Sequence, residues 1–274
     1  MLIRALIENT STTGDYKCEH GLSLYIETKK HRILFDTGAS GLFAENASVM
    51  GIDLSKVDIA IISHGHHDHG GGLKTFLELN SQAKVYIHGK AFEKHYGSRP
   101  SGVMEDIGLD EGLLPNERFI LTGDRHVIDE ELELFSDVRA ERFNPSGNAD
   151  LYMESGGKTS NDDFRHEQNL IISENGKTIL IAGCAHKGIV NIVGRFGEKM
   201  GCIPNCIIGG FHLFNPSFKK SEDTSVTDAI GKYLLNTNSM CFTCHCTGIE
   251  SYERLKSIMG DRVKYISTGE KITI

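Results

Sequence analysis

Ile61-Ile62-Ser63-His64-Gly65-His66-His67-Asp68-His69-Gly70-Gly71-Gly72 is the stretch that decides how the rest of the chain is read. It follows an apolar run, Val57 to Ile62, that reads as a buried strand, and it precedes a helix-like segment, Leu73 to Leu79. His64, His66, Asp68 and His69 fall within six consecutive residues at H-x-H-x-D-H spacing. A hydrophobic core has no use for such a cluster, because each imidazole buried without a partner loses its hydration and needs a hydrogen bond or a metal in return. Alternate residues of an extended or turning segment project to the same side, so His64 and His66 can close on one ion while Asp68 and His69 face a second. Neutral imidazole with carboxylate suits zinc, iron, manganese or nickel. The three glycines let the backbone turn sharply and start a helix without a side chain crowding the site. The bland alternatives are an exposed histidine-rich turn without metal and a single adventitious site.

Ser63-His64-Gly65-His66-His67-Asp68-His69-Gly70-Gly71 resembles the signature of the metallo-β-lactamase superfamily. That resemblance implies an α/β fold, a four-layer αββα sandwich, with a one- or two-metal site at one edge of the paired sheets.

The 274 residues suffice for one large α/β domain, and residues 1–274 are read as a single one. A net charge of −8 with both signs interspersed argues against nucleic acid as a partner, which draws on clustered Lys and Arg. The amino terminus turns polar at Glu8-Asn9-Thr10, too early for a secretory signal, and no run approaches the roughly 20 apolar residues that span a bilayer. A cytoplasmic protein without membrane contact is the expectation, with a homo-oligomer left open. Seven scattered cysteines fit a reducing compartment. Cys202, Cys206, Cys241 and Cys244 could supply a structural zinc, but neither pair sits in a knuckle-like turn, and buried free thiols are preferred.

Along the chain, Leu2 to Glu8 reads as a first strand, and Leu22 to Thr28 with Arg32 to Asp36 as a hairpin. Asp36-Thr37-Gly38 ends that hairpin; its carboxylate can accept from the second nitrogen of a histidine ligand, or simply form an Asx turn. Gly41 to Met50 fits a helix and Lys84 to His88 another strand. From about 89 to 163 the pattern weakens, and this stretch is read as short strands and loops inserted over the site as a lid or substrate wall. Asn169 to Ser173 and Thr178 to Ala182 flank an Asn175-Gly176 turn, a strong hairpin signal. Ile189 to Phe196, Thr224 to Leu235 (capped by Asp223 or Thr224) and Ile249 to Met259 read as helices, Met240 to Thr243 as a strand, and Val263 to Ile274 as a closing hairpin.

The second hairpin delivers Gly183-Cys184-Ala185-His186-Lys187-Gly188. Superfamily members usually carry a bridging aspartate where Cys184 stands, so the resemblance departs here: Cys184 is a ligand or a buried small hydrophobe, and His186 is the candidate ligand. His166 is a lesser one. His245 sits where a strand gives way to a helix, the place of the last superfamily ligand, and His212 holds the same place one strand earlier, suited to substrate contact or proton transfer with ligation left open. Together with Gly209-Gly210-Phe211-His212-Leu213 and His245-Cys246-Thr247-Gly248, these motifs are similar to a dihydropteroate-synthase-like branch, whose annotated activity joins a pterin to a ribofuranosylaminobenzene phosphate.

The resulting expectation is a binuclear metal-dependent hydrolase of a small molecule bearing a phosphate or carbonyl. His64, His66 and His186 would hold one ion and Asp68, His69 and His245 the other, zinc before iron, manganese or nickel. Asp68 and His212 would act in catalysis, and His212 and Lys187 would meet substrate. A pterin-joining transferase using the ions to hold pyrophosphate and a non-catalytic metal-dependent binding protein are the alternatives.

Overall fold

The computed structural model describes residues 1–274, which divide into two compact units. Met1–Lys94, Ile107–Gly123 and Ile266–Ile274 form the first; His95–Asp106 and Asp124–Tyr265 form the second. No helix is long and apolar enough to cross a membrane.

In the first unit seven strands run, from edge to edge, Lys271–Thr273, Leu2–Ile7, Ser23–Glu27, Arg32–Phe35, Ile59–Ile62, Lys84–His88 and Phe119–Thr122. The expected hairpin is present, with Leu24 opposite Phe35 and Ile26 opposite Ile33. The last four strands are parallel. Ile59–Ile62 is buried at every position, which is why it reads as a continuous apolar run rather than an alternating one. The helices Leu42–Val49 and Leu73–Leu79 contribute Phe43, Leu73 and Phe76 to one apolar cluster with Leu34, Ala60 and Val85 of the sheet.

In the second unit the order is Val263–Tyr265, Met240–Thr243, Cys206–Gly209, Lys177–Ile181, Asn169–Glu174, Leu132–Phe135 and Arg125–Val127. Asn175 and Gly176 take φ of 54° and 74°, the left-handed pair a two-residue hairpin turn needs. The first four strands in that order are again parallel. Ile189–Met200, Thr224–Asn236 and Ile249–Met259 are helices whose apolar stripes, including Phe196, Ile230 and Leu255, pack with Leu180, Ile207 and Cys241. Asp223 is the cap of the middle helix, accepting from the Ser225 N–H at 2.7 Å.

Two expectations change. Residues 89–163 are not one excursion: Phe119–Thr122 completes the first sheet, Leu132–Phe135 and Arg125–Val127 complete the second, and only Lys94–Ser98, Met104–Asp106, Leu151–Ser155 and Lys158–Asn161 form a small sheet of their own. Strands of three to five residues between polar loops are too short to show a period. The carboxyl terminus is not a hairpin either, because Val263–Tyr265 pairs with Met240–Thr243 while Lys271–Thr273 pairs with Leu2–Ile7. The glycines after the histidine cluster turn the chain from His67–Gly70 into the helix Leu73–Leu79, as expected, and they do more than that. Gly71 and Gly72 have helical φ of −63° and −79°, and their service is close approach: a Cβ would stand 2.3 Å from the Ala39 carbonyl oxygen at Gly71 and 2.4 Å from that of Thr37 at Gly72. These neighbours are backbone and cannot swing aside. Gly72→Ala is therefore expected to cost about 1–3 kcal/mol of unfolding free energy, seen as a lower urea midpoint at unchanged slope. An unchanged midpoint would show that the loop after Arg32–Phe35 yields freely.

Candidate metal centre

Parallel neighbours in a sheet end side by side, so residues following Arg32–Phe35 and Ile59–Ile62 meet at the carboxyl edge, where open α/β sheets bind ligands. Asp36, at φ 60°, donates its N–H to the Ile61 carbonyl at 2.8 Å. Its carboxylate is fully buried and is the hub of this edge. Oδ1 accepts the Ser63 N–H at 2.7 Å; Oδ2 accepts the Ser63 hydroxyl at 2.8 Å and lies 2.7 Å from Nδ1 of His69. The Ser63 oxygen in turn lies 2.8 Å from Nδ1 of His64. An ionised carboxylate only accepts, so His69 carries its proton on Nδ1. The Ser63 hydrogen is committed to Asp36, so His64 also donates from Nδ1. This assignment, made from the network, turns Nε2 of both rings outward as lone-pair donors.

The other donors of the motif gather round. His64 has ring-centroid separations of 4.6 Å to His66 and 4.2 Å to His69. Asp68 Oδ2 lies 3.7 Å from Nε2 of His69 and 3.3 Å from Nε2 of His20. His67 is exposed; its N–H donates to the Ile107 carbonyl at 2.7 Å and its carbonyl accepts the Gly71 N–H at 2.7 Å.

The second unit has its own set at the ends of its parallel strands. Cys184 Sγ lies within 4.8 Å of a ring nitrogen of each of His186, His245 and His212, and of Cys246 Sγ. His186 is stacked on Phe164 at 4.5 Å, and its Nδ1 lies 3.0 Å from Asn148 Oδ1, so this ring also presents Nε2. Glu167, buried, accepts the N–H of His186 at 2.6 Å and of Lys187 at 3.0 Å, fixing the turn that carries both. Burial pushes its carboxyl up to about 6, against those two hydrogen bonds. Lys187 donates its ammonium to the Asp163 carbonyl at 2.6 Å. His166 Nε2 lies 3.2 Å from Asp162 Oδ2, which is also 2.8 Å from Nδ1 of His95, and these three buried donors stand in a set that could hold a metal ion. Burial pushes the Cys206 and Cys241 thiols up to about 12, and none of the seven cysteines is in a disulfide.

The donors fit a transition-metal centre. Imidazole Nε2 groups held in one tautomer by outer partners, together with a carboxylate, are what zinc-class ions take. His64, His66, Asp68 and His69 stand together in the first unit, and Cys184, His186, His212 and His245 in the second. Sequence reading missed His20, Asn148 and Glu167. Their roles come from tertiary hydrogen bonds that no local spacing encodes.

Residues 16–147 match the metallo-β-lactamase superfamily. A metal-dependent hydrolase of the β-lactamase superfamily, of known crystal structure, is 27% identical and superposes with a TM-score of 0.84 over 100% of this chain and 99% of its own. The metallo-β-lactamase fold protein YhfI from Bacillus subtilis, at 10% identity and TM-score 0.57 over 99% of each chain, shares the fold alone. Among curated proteins of Methanocaldococcus jannaschii, an uncharacterized protein is 29% identical over 264 residues, 94% of each chain. A 7,8-dihydropterin-6-methyl-4-(β-D-ribofuranosyl)-aminobenzene-5′-phosphate synthase is 28% identical over 250 residues, 85% of this chain and 82% of its own.

Asp36→Asn leaves the shape but replaces one acceptor oxygen with a donor, so His64 and His69 lose their shared tautomer lock. Zinc affinity, measured by competition with a chelator, is expected to fall about 10- to 100-fold; equal affinity would remove Asp36 from its positioning role. Glu167 gives a pH signature. Its folded value lies above its ordinary 4.5, so the native state holds this proton more tightly, and the group's stabilisation is full below pH 4.5 and is lost as pH rises through about 6. Glu167→Gln should flatten that decline in unfolding free energy, and a decline of equal size in the variant would point to another group.

Proposed function

We propose that this chain, which has the metallo-β-lactamase fold, is a two-metal hydrolase acting on a small molecule that carries a phosphate or an activated carbonyl. In this reading His64, His66 and His186 hold one divalent cation and Asp68, His69 and His245 the other, with zinc the first candidate. The observation that carries it is the buried Asp36–Ser63 anchor, which holds two imidazoles in the tautomer that offers Nε2. A fold with no ion to bind gains nothing from that costly arrangement. The whole-chain likeness to a metal-dependent hydrolase supports the reaction class.

Divalent cations held this way supply Lewis acidity toward a carbonyl or phosphoryl oxygen and acidify water. The protein's own part is positioning and proton handling. Asp68 keeps an oxygen 3.3 Å from Nε2 of His20, half exposed, so a proton accepted at Oδ2 has a path through His20 toward solvent. Lys187 can reach substrate only by giving up its bond to the Asp163 carbonyl, which makes it a substrate-contact residue of second rank. His212, whose ring centroid stands 4.2 Å from that of His186, is the proposed residue for substrate contact or proton transfer.

A second reading, a pterin-joining transferase, is favoured by the likeness to the methanogen synthase. The donors are the same, and the cations would hold a pyrophosphate leaving group while an aromatic amine attacks.

His66→Ala is expected to lose metal and activity together when the reconstituted chain is assayed on phosphodiesters, phosphomonoesters, lactones and thioesters. Full metal content with unchanged turnover would contradict the assignment. Full metal in the unsubstituted chain with no turnover above a His64→Ala control would favour a binding protein. Condensation of a pterin pyrophosphate with an aminobenzene partner, absent in His66→Ala, would move the chain to the transferase reading.

A further inference from the structure

The second unit has a cavity of about 630 Å³ beside the helix Ile189–Met200, and none of the metal-donor side chains lines it. That volume suits a small organic ligand rather than a lone ion. Val190, Asn191 and Gly194 supply one wall and Tyr233 another. A Cβ at Gly194 would meet nothing within 4 Å, so this turn of the helix borders open space. Charge is unevenly matched on the remaining wall. Arg195 pairs with Asp137 and, at 2.8 Å, with Glu198, and Lys199 reaches Asp137 at 3.5 Å. Arg139 and Arg142 take part in no ion pair, and Glu141 offsets only one of them, which leaves one positive charge over. Arg142 is stacked instead, its guanidinium carbon 5.5 Å from the Phe143 ring centre and 5.3 Å from that of Tyr233. A guanidinium held by ring faces keeps its N–H edge for a phosphate.

The same wall is fastened to the turn that carries His186. Asn191 Oδ1 accepts the Arg142 N–H at 3.1 Å, and Asn191 Nδ2 donates to the Arg142 and Lys187 carbonyls, each at 2.7 Å. Gly188, at φ 82°, lets these segments close on one another: a Cβ there would stand 2.9 Å from Asn191 Nδ2 and 3.2 Å from the Phe143 carbonyl oxygen. One amide thus clamps both backbones with no slack between them, and a contiguous packed network of this kind carries coupling. We propose that the cavity is a regulatory site for a small organic phosphate, a phosphomonoester of sugar-phosphate or mononucleotide size, held by Arg139 and Arg142. Its occupancy reaches the His186 turn through Asn191, a second step that rests on His186 being a metal ligand, as the two-metal reading has it.

Ribose 5-phosphate and AMP, titrated calorimetrically into the metal-free full chain, test the site where no metal can hold or cleave a phosphate. Saturable binding is expected, and Arg139→Ala and Arg142→Ala, both at exposed positions, should each weaken it about 10- to 100-fold. His66→Ala should leave it unchanged, because the ligand does not use the histidine cluster. Zinc affinity, read by chelator competition at saturating AMP, should then shift about 5-fold or more, and the shift should vanish in Asn191→Ala. No binding of either compound up to about 10 mM, or binding indifferent to both arginine substitutions, would overturn the site. A zinc shift that persists in Arg142→Ala would come from phosphate on the metal, and either that result or an absent shift would overturn the coupling. Arginine-dependent binding in a chain without turnover would leave the site standing while the hydrolase reading fails, and turnover without such binding would do the reverse.

Discussion

A buried carboxylate is tolerated only when donors surround it, and Asp36 is the point where the first unit meets that demand. Its two oxygens take the Ser63 backbone N–H, the Ser63 hydroxyl and the His69 ring, and Ser63 passes the constraint on to His64. Cost and use are coupled here. The carboxylate stays buried because Ser63 and His69 donate to it; His69 keeps Nε2 as a lone-pair donor because its Nδ1 proton is engaged by Asp36, and His64 because its own is engaged by the Ser63 oxygen. The glycines at 71 and 72 serve the same end, allowing the loop after Asp36 to lie against the turn that carries the ligands.

The second unit solves the equivalent problem by a different route. Parallel strands again bring loop after loop to one edge, but the donors are thiols and imidazoles, and the turn bearing His186 and Lys187 is pinned by buried Glu167 and by Asn148. Left-handed backbone at Ala185, His212 and His245 marks where the chain gives up local comfort to aim a side chain. Cysteine at 184 makes this edge softer toward metals than a carboxylate there would.

Much of this was legible in the sequence because it is local. The H-x-H-x-D-H run sits between an apolar strand and a helix, Asn175-Gly176 marks its hairpin, and Asp36 ends a strand just before a glycine. What escaped was set by distant partners. Phe119–Thr122 and Leu132–Phe135 look like loop until the sheets they complete are known. His20, Asn148 and Glu167 act through hydrogen bonds to residues tens of positions away or to another loop's backbone. The three glycines were recognised as necessary for the turn into the next helix; the carbonyl oxygens opposite them add a second reason, close approach, that only the folded chain reveals.

The central proposal is that residues far apart in the sequence share one pair of cations, and anomalous diffraction from crystals of the zinc-loaded chain addresses it most directly. Two zinc peaks about 3.5–4 Å apart are expected, one touching His64, His66 and His186 and the other Asp68, His69 and His245. A map in which His186 and His245 stand away from the metal bound by the first unit, or in which no zinc touches His64 and His69, would contradict it.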